Sequence, residues 1–460
     1  MKLIFFLGPI ILLSLCLAEN VPVQSNRKPD FISFEEAQPV LRGMAGKLPA
    51  GLTGSLTAKD WAQWVQKQDA EIRARLDRGD EDTLTNLLRF GVTFTKEYRI
   101  DDEYLLKYGH SSLVNAFAEN RANDLIRAMA SQNPSEGIAR MRLFLEKKGY
   151  SFKTPEDRKK TKTYLLANLA RMRDDILRYT SESQRANPSQ LFQDRGISLD
   201  TNLWPDFLID QHLEKMVEKG LLKHGTVRRV AIVGPGLDFA NKENGNDYYP
   251  LQTIQPFAVL DSLARLGLSD PASVEIYTLD ISPDVNFHIE RACKLARTRK
   301  AYVVQLPWDK AARQTPEYRA AFVQYWRRLG SKISKPVPPI PVPAAAAMTT
   351  ETRAITIPPE IVLRLTPLDA NIIFQHLGTA PQEGFDLIIG TNVFLYFNVF
   401  EQGLARRNMA LMLKPGGFVL SNGELPGSPG DGLADSLTTS QILARDPDRV
   451  DSMFTYARTQ

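Results

Sequence analysis

Cysteine is almost missing from this 460-residue chain, which holds only Cys16 and Cys293. Cys16 falls in an apolar N-terminal run that reads as a removable leader, so an internal disulfide is excluded in the remainder. Cys293, set in a helical pattern, reads as a small packed residue rather than a nucleophile. The five histidines are scattered without ligand spacing, and no metal site is indicated. Charge of one sign is also lacking: 57 Lys and Arg stand against 53 Asp and Glu, a net charge of +4 that gives no reason to expect nucleic acid. The Asn-x-Ser triplets at Asn133 and Asn187 carry proline in the middle, so neither is a glycosylation signal. Ser421-Asn422-Gly423-Glu424 follows a strand but lacks the nucleophile-elbow pattern of hydrolases. What is present is the make-up of a soluble globular protein, 43% hydrophobic and 24% charged, long enough for two or three domains.

The chain is organised around residues 227–281. The apolar run Val230-Ala231-Ile232-Val233 ends in Gly234-Pro235-Gly236, a helical pattern through Phe257, Leu260 and Leu263 closes at Gly267, and a second apolar strand, 274–279, ends in Asp280. A strand, a close pair of glycines, a helix, and an acid at the tip of the next strand make a nucleoside-binding half of a doubly wound α/β sheet. The glycines let a ligand come near the backbone, and the carboxylate offers two acceptor oxygens to a ribose diol. The dinucleotide spacing Gly-x-Gly-x-x-Gly fails at Phe239, against a nicotinamide enzyme.

Downstream, Phe385-Asp386-Leu387-Ile388-Ile389-Gly390 reads as a buried strand running into Thr391-Asn392 and on to Phe397. Leu413-Lys414-Pro415-Gly416-Gly417 then turns into another, 418–421. In these motifs and their order the second half of the chain resembles the class I S-adenosylmethionine-dependent methyltransferases. The run Asn392 to Phe397 is most similar to the branch that methylates chemotaxis receptors, which makes a protein carboxylate one acceptor the resemblance implies. The fold implied is α/β, a doubly wound Rossmann-like methyltransferase sheet with a separate N-terminal all-α domain, and the cofactor implied is S-adenosylmethionine. Gly234 and Gly236 would then hold its methionine end, Asp280 its ribose and Asp369 its adenine. Asn392 would face the sulfonium, and Tyr396 or Tyr249 would orient an unidentified methyl acceptor, small molecule or protein. Two positions depart from the family: its acid two residues before the first glycine is Ile232 here, and its third glycine is Asp238, which offers a carboxylate to a cationic methionine group. The alternative is an exported non-catalytic binding protein that retains the fold.

Residues 1–18 are similar to a signal peptide, with Lys2 ahead of an apolar core and a small-x-small site at Cys16-Leu17-Ala18. Export is the expectation; an uncleaved membrane anchor is the alternative. Residues 19–57, rich in Pro, Gly and polar groups, read as a linker or extended arm. A helical domain is expected over 58–200, with one helix stopped by Gly79, and a strong start at Thr154-Pro155-Glu156-Asp157. Trp61 and Trp64 read as core. The methyltransferase-like domain, 201–460, carries a polar loop, Asn241 to Thr253, that is either a lid or a surface excursion. It also carries a Pro/Ala-rich insertion at 335–350, expected to be exposed with polyproline character. Two segments, Ala354-Ile355-Thr356-Ile357 and Ile361 to Leu365, compete for the third core strand.

Overall fold

The computed structural model describes residues 28–54, 56–108, 112–180, 192, 195–238, 247–310, 315–378, 380–442 and 450–459. The expected leader and residues 241–246 of the polar loop lie outside them. In chain order come strand β1 (Pro29–Phe31), helix α1 (Phe34–Gly43), and five helices: α2 (Ala58–Phe90), α3 (Asp102–Tyr108), α4 (Ser112–Met129), α5 (Glu136–Lys147) and α6 (Pro155–Thr180). Next are α7 (Leu203–Glu218), β2 (Arg229–Val233), α8 (Gln255–Arg265), β3 (Glu275–Asp280), α9 (Pro283–Arg297), β4 (Tyr302–Asp309), α10 (Pro316–Arg328), β5 (Lys335–Val337), β6 (Thr350–Ile357), β7 (Leu365–Asp369) and β8 (Gln375–Leu377). Strand β9 (Phe385–Gly390), helix α11 (Val399–Met412) and strands β10 (Leu413–Ser421), β11 (Leu433–Ile442) and β12 (Val450–Arg458) complete the chain.

Seven strands form the central sheet in the order β11-β12-β10-β9-β2-β3-β7. From β7 to β10 neighbours run parallel, and β12 and β11 close one edge antiparallel. Alternation along β2 assigns the two faces. Val230 and Ile232 join one buried cluster, and Ala231 and Val233 join the other, because successive side chains of a strand point to opposite sides. Helices cover both faces, which is why the parallel strands read as nearly unbroken apolar runs. Among the described residues no helix is long and apolar enough to cross a membrane.

Four expectations are corrected. Gly79 does not stop a helix: α2 runs on through it for 33 residues, about 50 Å at 1.5 Å per residue. Nor do the helices of 58–180 own a separate core. Leu84, Leu88, Leu125 and Leu165 share one buried cluster with Val230 and Ile276 of the sheet, while Trp61, Val65 and Ile72 at the other end of α2 belong to the opposite face. So α2 crosses from one face of the sheet to the other. The expected arm, where described, is folded: Ser33 and Glu36 form a capping box that opens α1, and β1 pairs with β8. The third core strand is β7, starting where the second candidate segment ends; 354–357 belongs instead to β6 in a second sheet ordered β4-β6-β5. That second sheet also takes residues 335–337 out of the Pro/Ala-rich insertion, of which 338–343 lies in no helix or strand, Ala344–Ala347 forms a helical turn with Ala346 buried, and Met348 is exposed.

Other local readings match the sequence chemistry. Thr154 and Asp157 cap α6 reciprocally, Asn398 and Glu401 box the start of α11, and Cys293 is buried at 3% exposure. Trp61 is core: its Nε1 donates to the Ile32 carbonyl at 2.9 Å and its ring stacks on Trp64.

Candidate functional site

The order of the sheet reverses between β2 and β9, and a ligand crevice in an open α/β sheet forms outside the carboxyl ends of the strands at such a point. A cavity of about 380 Å³ lies there. It is lined by the residues that end β2 (Val233, Gly234, Gly236), β3 (Leu279 to Ser282) and β9 (Thr391 to Val393), and by Ala370, Asn371 and Ile372 after β7.

Gly234 and Gly236 take φ of 65° and 66°, the left-handed region where glycine carries no side-chain penalty. The close approach at each is made by the chain itself. A Cβ at Gly234 would stand 2.6 Å from Val393 Cγ2, and one at Gly236 2.6 Å from the Leu199 carbonyl oxygen. Asp280 ends β3 inside the cavity wall, 9% exposed. Its Oδ1 accepts the Ser282 amide at 2.8 Å and the Gly236 amide also bonds the carboxyl, yet burial outweighs both and pushes the group up to about 7. Asn392 and Tyr396 line the same cavity. Asn392 has φ 58°, a conformation asparagine tolerates better than most residues, and its amide is paired with Asn422: Asn422 Nδ2 donates to Asn392 Oδ1 at 2.7 Å. Tyr396 meets Phe192 edge-on at 6.1 Å, and its carbonyl accepts Arg75 Nη2 at 2.9 Å.

Three sequence candidates are placed elsewhere. Asp369 stands beside Asp280 in register, but its side chain is outside the cavity lining and bonded at 2.7 Å to Arg73 of α2. Asp238 and Tyr249 are buried away from the lining, where the Tyr249 hydroxyl donates to Asp238 Oδ1 at 2.6 Å and Gln252 Nε2 donates to Oδ2 at 3.0 Å. Because the backbones of Asp238 and Gln252 pair, the two side chains are drawn into a core polar cluster that reaches Gln305 of β4. The described part of the expected lid, 247–253, is mostly interior, with Pro250 exposed. Asp247 is 2% exposed and accepts the amides of Val92 and Thr93 just past the end of α2.

The residues missed from sequence come from outside the sheet. Helix α2 roofs the crevice as it crosses: Leu76 lines the cavity, Arg73 reaches Asp369 and the Ile281 carbonyl, and Arg75 reaches the carbonyls of Phe192 and Tyr396. Residues 197–204, ahead of α7, form another wall. Within it Asp200 pairs by backbone with Leu237, one residue past the glycine turn, and both its oxygens lie 3.1 Å from the Thr83 hydroxyl. The end of β4 adds Trp308 and Asp309, and α10 adds Phe322. Among the described lining residues three are acids, Asp200, Asp280 and Asp309, and none is Lys, Arg or His.

Buried carboxyls set a pH dependence for stability. Desolvation raises Asp206 to about 8 and Asp238 to about 7, alongside Asp280, from an ordinary 3.8. Each is neutral in the folded state where the unfolded chain is ionised, so the stability it contributes is full below 3.8 and lost as pH rises through 7 to 8. His212 and His288, pushed by burial down to about 4, act oppositely but only below their ordinary 6.5. The melting temperature is therefore expected to fall between about pH 6.5 and 8.5. A flat or rising profile in calorimetric scans would refute the neutral carboxyls.

No protein-family model and no curated protein is matched by the sequence. Solved structures give slight likenesses. The N-methyltransferase NodS from Bradyrhizobium japonicum WM9 is 13% identical over 55% of this chain and 97% of that one, with a TM-score of 0.27. The magnesium protoporphyrin IX methyltransferase ChlM from Synechocystis PCC 6803 is 9% identical over 62% and 97%, with a TM-score of 0.26. A TehB-like SAM-dependent methyltransferase from Corynebacterium glutamicum is 9% identical over 56% and 90%, with a TM-score of 0.25. Overlaps this slight bear no weight by themselves.

Proposed function

We propose that the chain binds S-adenosylmethionine in this cavity and directs its methyl group to an acceptor. The observation that carries the reading is Asp280: a carboxyl buried at the tip of β3, held by backbone amides beside the glycine turn, with lone pairs left for a ligand diol. The residues present fit the cofactor. The volume is that of a small-molecule site, Ile281 and Ile372 give apolar walls for a purine, and the acidic lining suits a ligand that carries a sulfonium and an ammonium. Asp200, fixed by Thr83 next to the glycine turn, supplies for the ammonium the acid that Ile232 does not.

When bound, the cofactor supplies a methyl group activated by sulfonium. The protein's part is to align and to exclude water, so a dry, shaped cavity suffices without a catalytic triad. Leu76 and the 197–204 wall close the crevice, while Asn392, locked by Asn422, and Tyr396 present fixed groups to the reacting end.

The rival reading, a binding protein that keeps the fold without the cofactor, draws on Arg73 occupying Asp369. Titration calorimetry of the full-chain protein with S-adenosylmethionine and S-adenosylhomocysteine separates the two. Saturable heat is expected; no heat and no thermal stabilisation at millimolar ligand would leave only the rival.

A further inference from the structure

The cavity has two ends of different origin. One is made by the tips of β2, β3 and β9. The other is made by pieces added to the sheet: Trp204 on the first turn of α7, Trp308 and Asp309 at the end of β4, and Phe322 on α10. We infer that this second end receives a methyl acceptor carrying a positively charged group, ammonium or guanidinium, on an apolar body. The inference rests on the methyl-transfer reading of the same cavity.

The aromatic groups are held in place before any ligand arrives. Trp204 stacks on Phe322 with centroids 3.8 Å apart, Trp308 packs against Trp326 at 5.9 Å, and Trp326 Nε1 is tied to the Leu306 carbonyl of β4 at 2.8 Å. Strand β4 is itself fixed by eight paired positions along β6. Aromatic faces carry negative electrostatic potential and attract organic cations, more strongly when water is excluded. Trp308 already shows the preference from outside the lining, since the Arg319 guanidinium sits 5.4 Å from its ring.

Charge points the same way. Asp309 adds a carboxylate at the aromatic end, and Asp200 and Asp280 line the remainder. Arg99 acts electrostatically on Asp309 and is not among the described lining residues. An anionic acceptor would meet Asp309 at this end and no Lys, Arg or His among the described lining residues. This sets the cationic class against the protein carboxylate that the likeness of Asn392 to Phe397 implied.

The test is titration of the full-chain protein, alone and saturated with S-adenosylhomocysteine, with three probes of similar size: phenethylamine, benzyltrimethylammonium and phenylacetate. Both cations are expected to bind and phenylacetate not to. Asp309→Asn is expected to weaken the cations about tenfold and S-adenosylhomocysteine much less, and Trp308→Leu to weaken the cations where Trp308→Phe does so less. Phenylacetate binding as tightly as the amines, or cations binding equally to wild type and Asp309→Asn, would overturn the inference. Lost amine binding with S-adenosylhomocysteine still bound would overturn it alone. Amine binding without any S-adenosylhomocysteine heat would sustain the cation site and bring down methyl transfer.

Discussion

Asp280→Ala is expected to cost S-adenosylhomocysteine about 3 kcal/mol or more of affinity, roughly a hundredfold, since it deletes the charged acceptor of two hydroxyl donors. The carboxyl is neutral up to about pH 7 in the free protein, so wild-type affinity should strengthen as pH rises through that value and the ionised form becomes available. Asp280→Asn keeps the shape and one acceptor oxygen, and should bind weakly with no such rise. It should also show a shallower fall of melting temperature between about pH 6.5 and 8.5, one of the three carboxyls raised to about 7 or 8 being gone. A variant that stays folded and binds as well as wild type across this range would remove Asp280 from the site and take the proposed function with it.

Gly79→Ala should destabilise the protein by about 2 kcal/mol or more, against the sign that helix propensity alone would give. In the middle of an exposed helix the change would favour folding by about 1 kcal/mol. Here the added Cβ would lie 1.9 Å from the Ile197 carbonyl oxygen, and a Cβ at Gly196 would lie 2.1 Å from the Gly79 nitrogen. Two backbones cross at paired glycines, so no flexible side chain can move aside and overpacking dominates. The crossing also seats the 197–204 wall, so ligand affinity should fall together with stability. Gly46→Ala, with nothing within 4 Å of the added carbon, is the control expected to be nearly neutral. Equal melting temperatures for wild type and Gly79→Ala would show that the crossing can spread at little cost.

The parts legible in the sequence are those whose reason lies within a few residues. The turn at Gly234 and Gly236 and the acid that ends β3 belong to one strand-helix-strand unit, and the caps at Thr154 and Asn398 are settled by the residue three places on. What could not be read depends on partners far along the chain. Asp369 is diverted by Arg73, 296 positions away, and Asp200 is set by Thr83, 117 positions away. Asp238 and Tyr249 satisfy each other, which no spacing foretells. Pro367 within β7 is tolerated because that strand lies at the edge of the sheet. Helix α1 did carry a signal, Ser33 to Glu36 as a capping box, hidden by Pro39 within the helix.

The pairing of β1 with β8 bears on how the molecule is assembled in time. Pro29 faces Leu377, His376 lies 3.3 Å from Glu36 across a separation of 340 residues, and Arg407 of α11 donates to the Glu36 carbonyl. Contacts of such long range form late and slow the search for the native state. At a synthesis rate of about 5 to 20 residues per second, β1 waits tens of seconds for its strand partner to exist at all. Helix α11, against which α1 packs, is made later still. Strand β1 and helix α1 are thus made early and placed late.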